Sequence, residues 1–401
     1  MSYVLCPICG HDCGTPFLSR LGVPVFLNRV YRNRDEARRA TTGRLDLAYC
    51  QYCSFGFNVA FDPSLVAYGP DYENEQCHSP EFVRHLDEMI DRVRSSLQGS
   101  AGSVVEVGCG QGDFLRRLAA GVHGDAIEFV GVDPCYRARG LQREGLRFFT
   151  STLEEGPADM RPSGPLVMLS RHVIEHVPRP VEFLTSMLKE PKQTVRDRLF
   201  LETPSFEWII RNRMFMDLFY EHCSYFTRKA LHATATKAGW DVESIDTVFG
   251  GQYYWLKARA AFAGQNLAWV HDEPSLTYAE IESFQAREVA MRAYWQKRLD
   301  QMAERGPVAV WGAAAKGVTF ATQLDPESRR IKCLIDLNPA KQDRFIPISG
   351  HPVRSMKSAV EDGIAAAFVM NPNYLDEIKQ MTCGLQIELI PVQATDHALH
   401  L

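Results

Sequence analysis

The chain has 401 residues, 45% of them apolar, enough for roughly two to three domains with proper cores, which excludes disorder as its main state. Its 44 basic and 49 acidic residues leave a formal net charge of -5 and no basic run stands out, so nucleic acid is not an expected partner. No window approaches the roughly 18 apolar residues of a membrane span, and Met1 to Gly10 lacks the charged start and apolar stretch of a secretory signal, so a soluble, cytoplasmic protein is expected.

Eleven cysteines is an odd number for a disulfide scaffold, and five of them fall in the first 53 residues. The first block, 1–65, is Cys-rich and loop-like, with strand candidates at Asp46 to Tyr49 and Ser54 to Asn58. Burial alone is not expected to hold so small a block together. Cys6-Pro7-Ile8-Cys9 and Cys50-Gln51-Tyr52-Cys53 are two C-x-x-C pairs, each able to present two thiolates to one tetrahedral ion. A structural zinc on Cys6, Cys9, Cys50 and Cys53 is the expected reading, with Cys13 or His11 able to replace one ligand. A redox dithiol or plain buried cysteines are the alternatives. Four thiolates would leave no open position for a catalytic zinc.

From 66 to 270 the pattern alternates apolar strand runs with helical stretches, which predicts an α/β unit with a parallel, doubly wound sheet. Ser103 to Val107, Phe129 to Asp133, Leu166 to Ser170 and Arg198 to Glu202 read as strands. Directly after the first of them, Glu106-Val107-Gly108-Cys109-Gly110-Gln111-Gly112 forms an E-x-G-x-G-x-G loop that opens a helix at Asp113. Such glycines let a ligand approach the backbone, and Asp133 at the end of the next strand is placed to accept the hydroxyls of a ribose. Glu106 suits a cationic sulfonium and amino group, and no basic residue is near the loop in sequence. S-adenosylmethionine is therefore expected over a nicotinamide dinucleotide, with Glu106, Gly108, Gly110, Gly112, Asp133, Pro134 and Arg171 as its binding set. Ser170 to Val177 carries polar residues at the carboxyl edge of the sheet, where His176 either faces a substrate or is a satisfied core histidine.

Residues 271–305 contain a long polar helix with apolar Ile281, Phe284, Val289, Ala293 and Leu299 at near-helical spacing, which reads as a connector. After it, Val308 to Trp311, Ile331 to Ile335 and Ala366 to Met370 are strand candidates of a smaller Rossmann-like α/β unit, 306–401. Trp311-Gly312-Ala313-Ala314-Ala315-Lys316-Gly317 repeats a small-residue strand-to-helix turn, with Asp336 after a later strand. An incomplete dinucleotide fingerprint there favours a vestigial unit holding the nucleotide end of a substrate, with Lys316 meeting a phosphate; a structural unit and true NAD binding are the alternatives.

The two C-x-x-C pairs, the E-V-G-C-G-Q-G loop, R-H-V-I-E-H, Y-E-H-C-S-Y-F, W-G-A-A-A-K-G and I-D-L-N-P-A-K-Q, in this order, resemble the three-domain sugar C-methyltransferases that act on nucleotide-linked keto-deoxysugars. The resemblance covers essentially the whole chain. It implies a zinc-binding amino-terminal domain, a class I methyltransferase core and a carboxy-terminal Rossmann-like domain, with a nucleotide sugar as substrate, in a monomer or homodimer. It also places the family's Tyr-Glu-His cluster on Tyr220, Glu221 and His222, its active-site tyrosine on Tyr72 and its base on His222. Close relatives have Tyr-His-Glu-His where this chain has Phe219-Tyr220-Glu221-His222.

Methylating a carbon next to a carbonyl requires removal of a proton to form an enolate, so a base and an oxyanion stabiliser are both needed. His222 has the intrinsic pKa for the first task. Glu221 could orient it, Tyr220 or Tyr225 could donate to the enolate oxygen, and His176 is the rival base. The bland alternative for Tyr220 to Phe226 is an aromatic core segment. An O- or N-methyltransferase on another natural product, a dehydrogenase and a nucleotide-sugar binding protein are the competing functions.

Overall fold

A computed structural model describes residues 4–69, 72–97, 102–122, 127–137, 145–156, 160, 166–188, 197–262, 265 and 275–393. The boundary expected at 270/271 lies outside them. Three sheets organise the described residues.

The amino-terminal sheet pairs Leu18–Pro24 with Thr42–Tyr49 and that with Gly56–Asn58, all antiparallel. Its fourth strand is Ser224–Tyr225, which comes from the central part of the chain and pairs with Gly56–Asn58. The small block thus gains from packing as well as from its cysteines. Phe17, Leu18, Leu45 and Tyr49 share one core with Phe206, Phe215, Trp295 and Phe320, residues far away in sequence.

The central sheet has seven strands in the order Trp240–Val248, Tyr253–Ala260, Arg198–Pro204, Leu166–Arg171, Gly102–Val107, Ile127–Val132, Leu146–Phe149. Five are parallel. The expected parallel sheet is therefore mixed, because Trp240–Val248 and Tyr253–Ala260 form a hairpin that joins antiparallel to Arg198–Pro204. The strand order reverses between Gly102–Val107 and Leu166–Arg171, which run side by side. A crevice opens at the carboxyl ends of the strands at such a switch point.

The carboxy-terminal sheet is parallel throughout, ordered Val353–Arg354, Ile331–Ile335, Val308–Trp311, Ala366–Val369, Glu388–Pro391. Helix Tyr278–Arg305 starts on a capping box between Thr277 and Glu280, which satisfies two otherwise orphaned amides. Its buried stripe is Ile281, Phe284, Glu288, Met291, Trp295, Leu299 and Met302. Val289, expected on that stripe, is 64% exposed, and Ala293 also faces out. The sequence stripe missed by one position because a charged residue, Glu288, occupies the inner face, where it meets buried Arg20 at 2.8 Å. This helix is part of the shared core as well as a connector. No helix among the described residues is long and apolar enough to cross a membrane.

Candidate active site

One cavity of about 460 Å³ lies at the carboxyl ends of the central strands, and all three parts of the chain line it. At one end is the glycine loop. Gly108, Gly110 and Gly112 all have positive φ, of 75°, 55° and 85°. A side chain on Gly110 would meet nothing within 4 Å, so its backbone is open to the cavity that it lines. Gly112 has a different role: it caps helix Asp113–Ala120, and a Cβ there would lie 2.4 Å from Phe148. Asp133 Oδ2 accepts from the Gly110 amide at 2.8 Å and Oδ1 from the Cys135 amide at 2.6 Å, so its carboxylate is fixed by backbone while its remaining lone pairs stay available to the cavity. This open cradle with a fixed carboxylate fits an adenosyl ribose and an adjoining cationic group.

Gly108, Gly110, Asp133, Pro134 and Arg171 line the cavity, whereas Glu106 and Gly112 do not. Glu106 is fully buried behind the loop, where burial pushes its carboxyl up to about 7 against the pull of Arg171. Arg171 Nε lies 3.4 Å from Glu106 Oε1, and its guanidinium sits 4.3 Å over the Phe114 ring. The expectation that the loop lacks a basic neighbour is thus corrected: the end of strand Leu166–Arg171 runs beside strand Gly102–Val107 and delivers one. Glu106 therefore reaches the cavity wall only through its contact with Arg171.

Another part of its wall is formed by Tyr68, Tyr72, His176, Phe219, Glu221 and His222. His176 and His222 meet edge to face with centroids 4.8 Å apart, and Phe219 packs 4.0 Å from His222. His222 Nδ1 is buried with no protein partner, and burial holds the ring well below its ordinary value of 6.5, so it is a neutral imidazole. Burial also lowers His176. Glu221 Oε2 accepts from the Leu27 amide at 2.8 Å, and burial raises this carboxyl to about 7 despite the Leu27 and Tyr72 hydrogen bonds. His172 is held at φ 54°, a strained position for a non-glycine residue, where it meets Glu175 at 3.3 Å. Behind it, Glu202 receives His85 at 2.5 Å and Arg171 at 3.5 Å.

Tyr220 and Tyr225 are corrections. The Tyr220 hydroxyl accepts from the Asp62 amide at 2.8 Å and donates to the Asp62 carbonyl at 3.2 Å, outside the cavity. Tyr225 is likewise occupied with both backbone groups of Phe219 at 3.1 Å. Phe219, Glu221 and His222 line the cavity, whereas Tyr220 turns away from it to the Asp62 backbone. Tyr68, which the sequence reading missed, stands where a hydroxyl was wanted; its proximity to Tyr72 in sequence was the available signal.

The carboxy-terminal unit closes the cavity with Gly312, Lys316, Asp336 and Lys341. Asp336 Oδ2 accepts from the Ala313 amide at 2.9 Å, repeating the Asp133 to Gly110 bond at the same separation of 23 residues. Lys316 does not stand free for a phosphate: it pairs with buried Asp217 at 2.9 Å, donates to Gln252 Oε1 at 3.2 Å and lies 4.9 Å over Trp208. Lys341, also missed, is 2% exposed, and its ammonium is lowered by burial while Asp336, Glu73 and Glu221 act to keep it charged.

Away from the cavity, the sulfurs of Cys6, Cys9, Cys50 and Cys53 all lie within 4.8 Å of one another, with the closest approaches 3.5 and 3.4 Å. A tetrahedral zinc with bonds of about 2.3 Å requires sulfurs about 3.7 Å apart, so the residues present fit it. Cys13 instead donates to the His11 carbonyl at 3.5 Å. Glu175, His176 and His222 also gather within 4.8 Å, but Glu175 is held by His172 and Thr203 and His176 Nδ1 faces Tyr68, so this cluster is organised by hydrogen bonds.

Strand order and cradle together define a class I methyltransferase. A family model described as a methyltransferase domain matches residues 82–245, and one described as a C-methyltransferase C-terminal domain matches 266–386. C-methyltransferase NovU of Streptomyces niveus is 25% identical over 392 residues, covering 93% of this chain and 90% of that protein. The chain belongs to the S-adenosylmethionine-dependent C-methyltransferases and is an enzyme of that kind. Among solved structures, magnesium protoporphyrin IX methyltransferase of Synechocystis PCC 6803 with bound SAM is 13% identical, with 45% of this chain and 80% of that one covered at a TM-score of 0.31. The 1,6-didemethyltoxoflavin-N1-methyltransferase of Burkholderia thailandensis is 15% identical, with 47% and 80% covered at a TM-score of 0.31. The fold rests on the strand order.

Proposed function

We propose that this enzyme methylates a carbon next to a carbonyl on a nucleotide-linked keto-deoxysugar, through an enolate formed when His222 removes a proton. The observation that carries the reading is the single cavity joining the Gly110 and Asp133 cradle to His222, Glu221 and Tyr72. S-adenosylmethionine, when bound, supplies an electrophilic methyl group on sulfur. The protein's own residues do the rest. Asp133 and the Gly110 backbone hold the donor, the unpartnered Nδ1 of neutral His222 takes the proton, and a tyrosine hydroxyl meets the oxygen on which charge develops. Alignment of donor and acceptor in one enclosed space supplies much of the acceleration. Room for a nucleotide lies against the Gly312 and Asp336 wall, and the name of the Streptomyces relative favours carbon over oxygen or nitrogen as the acceptor. Cys6, Cys9, Cys50 and Cys53 hold one structural zinc in this reading, in a domain spanning 1–65 ahead of the 66–270 core.

A second base has an observation of its own. Glu221, which lines the cavity with a carboxyl raised to about 7, matches neutral pH better than an imidazole held well below 6.5. Incubation with methyl-labelled donor and a panel of nucleotide-linked keto sugars and other natural-product ketones tests the reading. Label on a carbon of a keto sugar is expected; label only on oxygen or nitrogen, or none, rejects it.

A further inference from the structure

Tyr72 is held by a hydrogen-bond chain whose direction can be worked out from chemistry. Lys341 Nζ donates to Asn28 Oδ1 at 3.1 Å and to the Ala313 carbonyl at 3.0 Å. Asn28 Nδ2 donates to the Tyr72 hydroxyl oxygen at 3.3 Å. An amide's oxygen and nitrogen are usually assigned from their surroundings, and here the surroundings leave one choice. An ammonium has three donors and no acceptor, so Asn28 must turn its oxygen to Lys341. Its NH₂ then necessarily points at Tyr72, whose oxygen must accept. The Tyr72 proton is left to point elsewhere, toward Glu221 and the cavity that both residues line. The backbone holds this arrangement, since the Glu73 amide donates to the Asn28 carbonyl at 3.0 Å and the Tyr72 ring packs edge-on against Tyr68 at 5.1 Å.

We propose that Asn28 and Lys341 are positioning residues that commit the Tyr72 hydroxyl to donating toward the substrate's carbonyl oxygen, making Tyr72 the oxyanion stabiliser. This rests on the enolate reading above. The chain draws Asn28 from the amino-terminal unit and Lys341 from the carboxy-terminal unit onto a tyrosine of the central one. The donor is therefore set only when all three units are assembled. No net chemistry occurs in the chain itself: the substrate proton goes to the base, and Tyr72 shares but keeps its own proton as the adjacent oxygen gains charge.

The decisive variant is Asn28→Asp, which keeps size and gives Lys341 an ion-pair partner. A carboxylate accepts from both sides, so it would capture the Tyr72 proton and reverse that bond's polarity. With a thymidine-diphosphate-linked keto-deoxyhexose as probe, we expect Asn28→Asp to lower both kcat and deuterium exchange of the substrate's acidic proton about 100-fold. KM and donor binding should stay within about threefold of wild type, and Tyr72→Phe should lose as much. Combining the two should cost no more than either alone, and Lys341→Arg, still donor-only, should keep kcat within about tenfold of wild type. A purely structural contact predicts the opposite: Asn28→Asp as active as wild type, or losses that multiply with those of Tyr72→Phe, and either result overturns the proposal. Should Asn28→Asp not fold, Lys341→Met with the same cycle against Tyr72→Phe decides. If wild type neither exchanges nor methylates the probe while methylating a heteroatom elsewhere, the enolate reading itself falls and this proposal with it.

Discussion

The phenolic oxygen of Tyr68 lies 2.9 Å from Nδ1 of His176, and the two rings meet edge-on with centroids 5.9 Å apart. This contact fixes which imidazole nitrogen is left for the cavity, and so which way the ring that packs on His222 can exchange a proton. Tyr68→Phe removes one buried hydrogen bond, and a loss of about 1 kcal/mol in urea unfolding is expected. Donor affinity, measured by calorimetry, should not change, because the Tyr68 hydroxyl bonds to His176 and takes no part in the hydrogen bonds that fix the Gly110 cradle.

The two bases proposed for proton abstraction give different pH profiles. A base works only when deprotonated. If Glu221 is the base, exchange of the substrate proton into deuterium oxide falls about tenfold per unit as pH drops below about 7. If His222 is the base, its lowered value keeps exchange level through pH 6.5 and below. The expected result is the level profile, abolished by His222→Ala but only weakened by Glu221→Gln. A profile breaking near 7 that disappears in Glu221→Gln assigns the step to the glutamate.

Donor affinity should depend on Asp133. Its carboxylate holds the amides of Gly110 and Cys135 and lines the cavity, so Asp133→Ala is expected to lose the proposed ribose contacts together with the shape of the loop. Titration calorimetry with S-adenosylmethionine and S-adenosylhomocysteine should show both weakened about 10- to 100-fold, on the scale of one or two charge-assisted hydrogen bonds.

Glu202 ties together His85, His172 and Arg171 with no exposed surface. Burial raises its carboxyl, but the His85 hydrogen bond and the charges of His172, His85 and Arg171 outweigh that and hold it at about 2, against an ordinary 4.5. Its stabilisation is therefore complete above about 4.5 and is lost as pH falls from there toward 2. Glu202→Gln strands the partners and should cost about 3–5 kcal/mol at neutral pH, with a shallower loss of stability in acid than wild type. Denaturant unfolding at a series of pH values measures both.

Metal analysis of purified protein should return about one zinc per chain, removed by Cys50→Ser together with much of the folded population. A second equivalent that disappears in His222→Ala would instead place an ion on Glu175, His176 and His222. Full stability in metal-free protein would sink the zinc assignment.

Features written in short stretches of sequence were legible from it. The two C-x-x-C pairs meet because each is a local knuckle, and the glycine loop sits after its strand because the turn demands positive φ. The strand cores Leu166–Arg171, Val308–Trp311 and Ile331–Ile335 follow from runs of apolar residues that only a two-sided sheet can bury. What each polar side chain does was settled by partners far along the chain, and no local pattern encodes these. Glu288 looks like a solvent-facing helix residue until Arg20, 268 positions away, turns it inward. Lys316 reads as a phosphate ligand until Asp217 neutralises it, and Tyr220 reads as catalytic until the Asp62 backbone takes its hydroxyl. Lys341 stands in the I-D-L-N-P-A-K-Q segment with no role legible there, yet folding brings it 313 residues back to Asn28. Burying a charge or a hydroxyl is costly unless it is paired, so a partner distant in sequence decides what each of these side chains does, and His222 Nδ1, buried beside the cavity with no hydrogen-bond partner, marks the site.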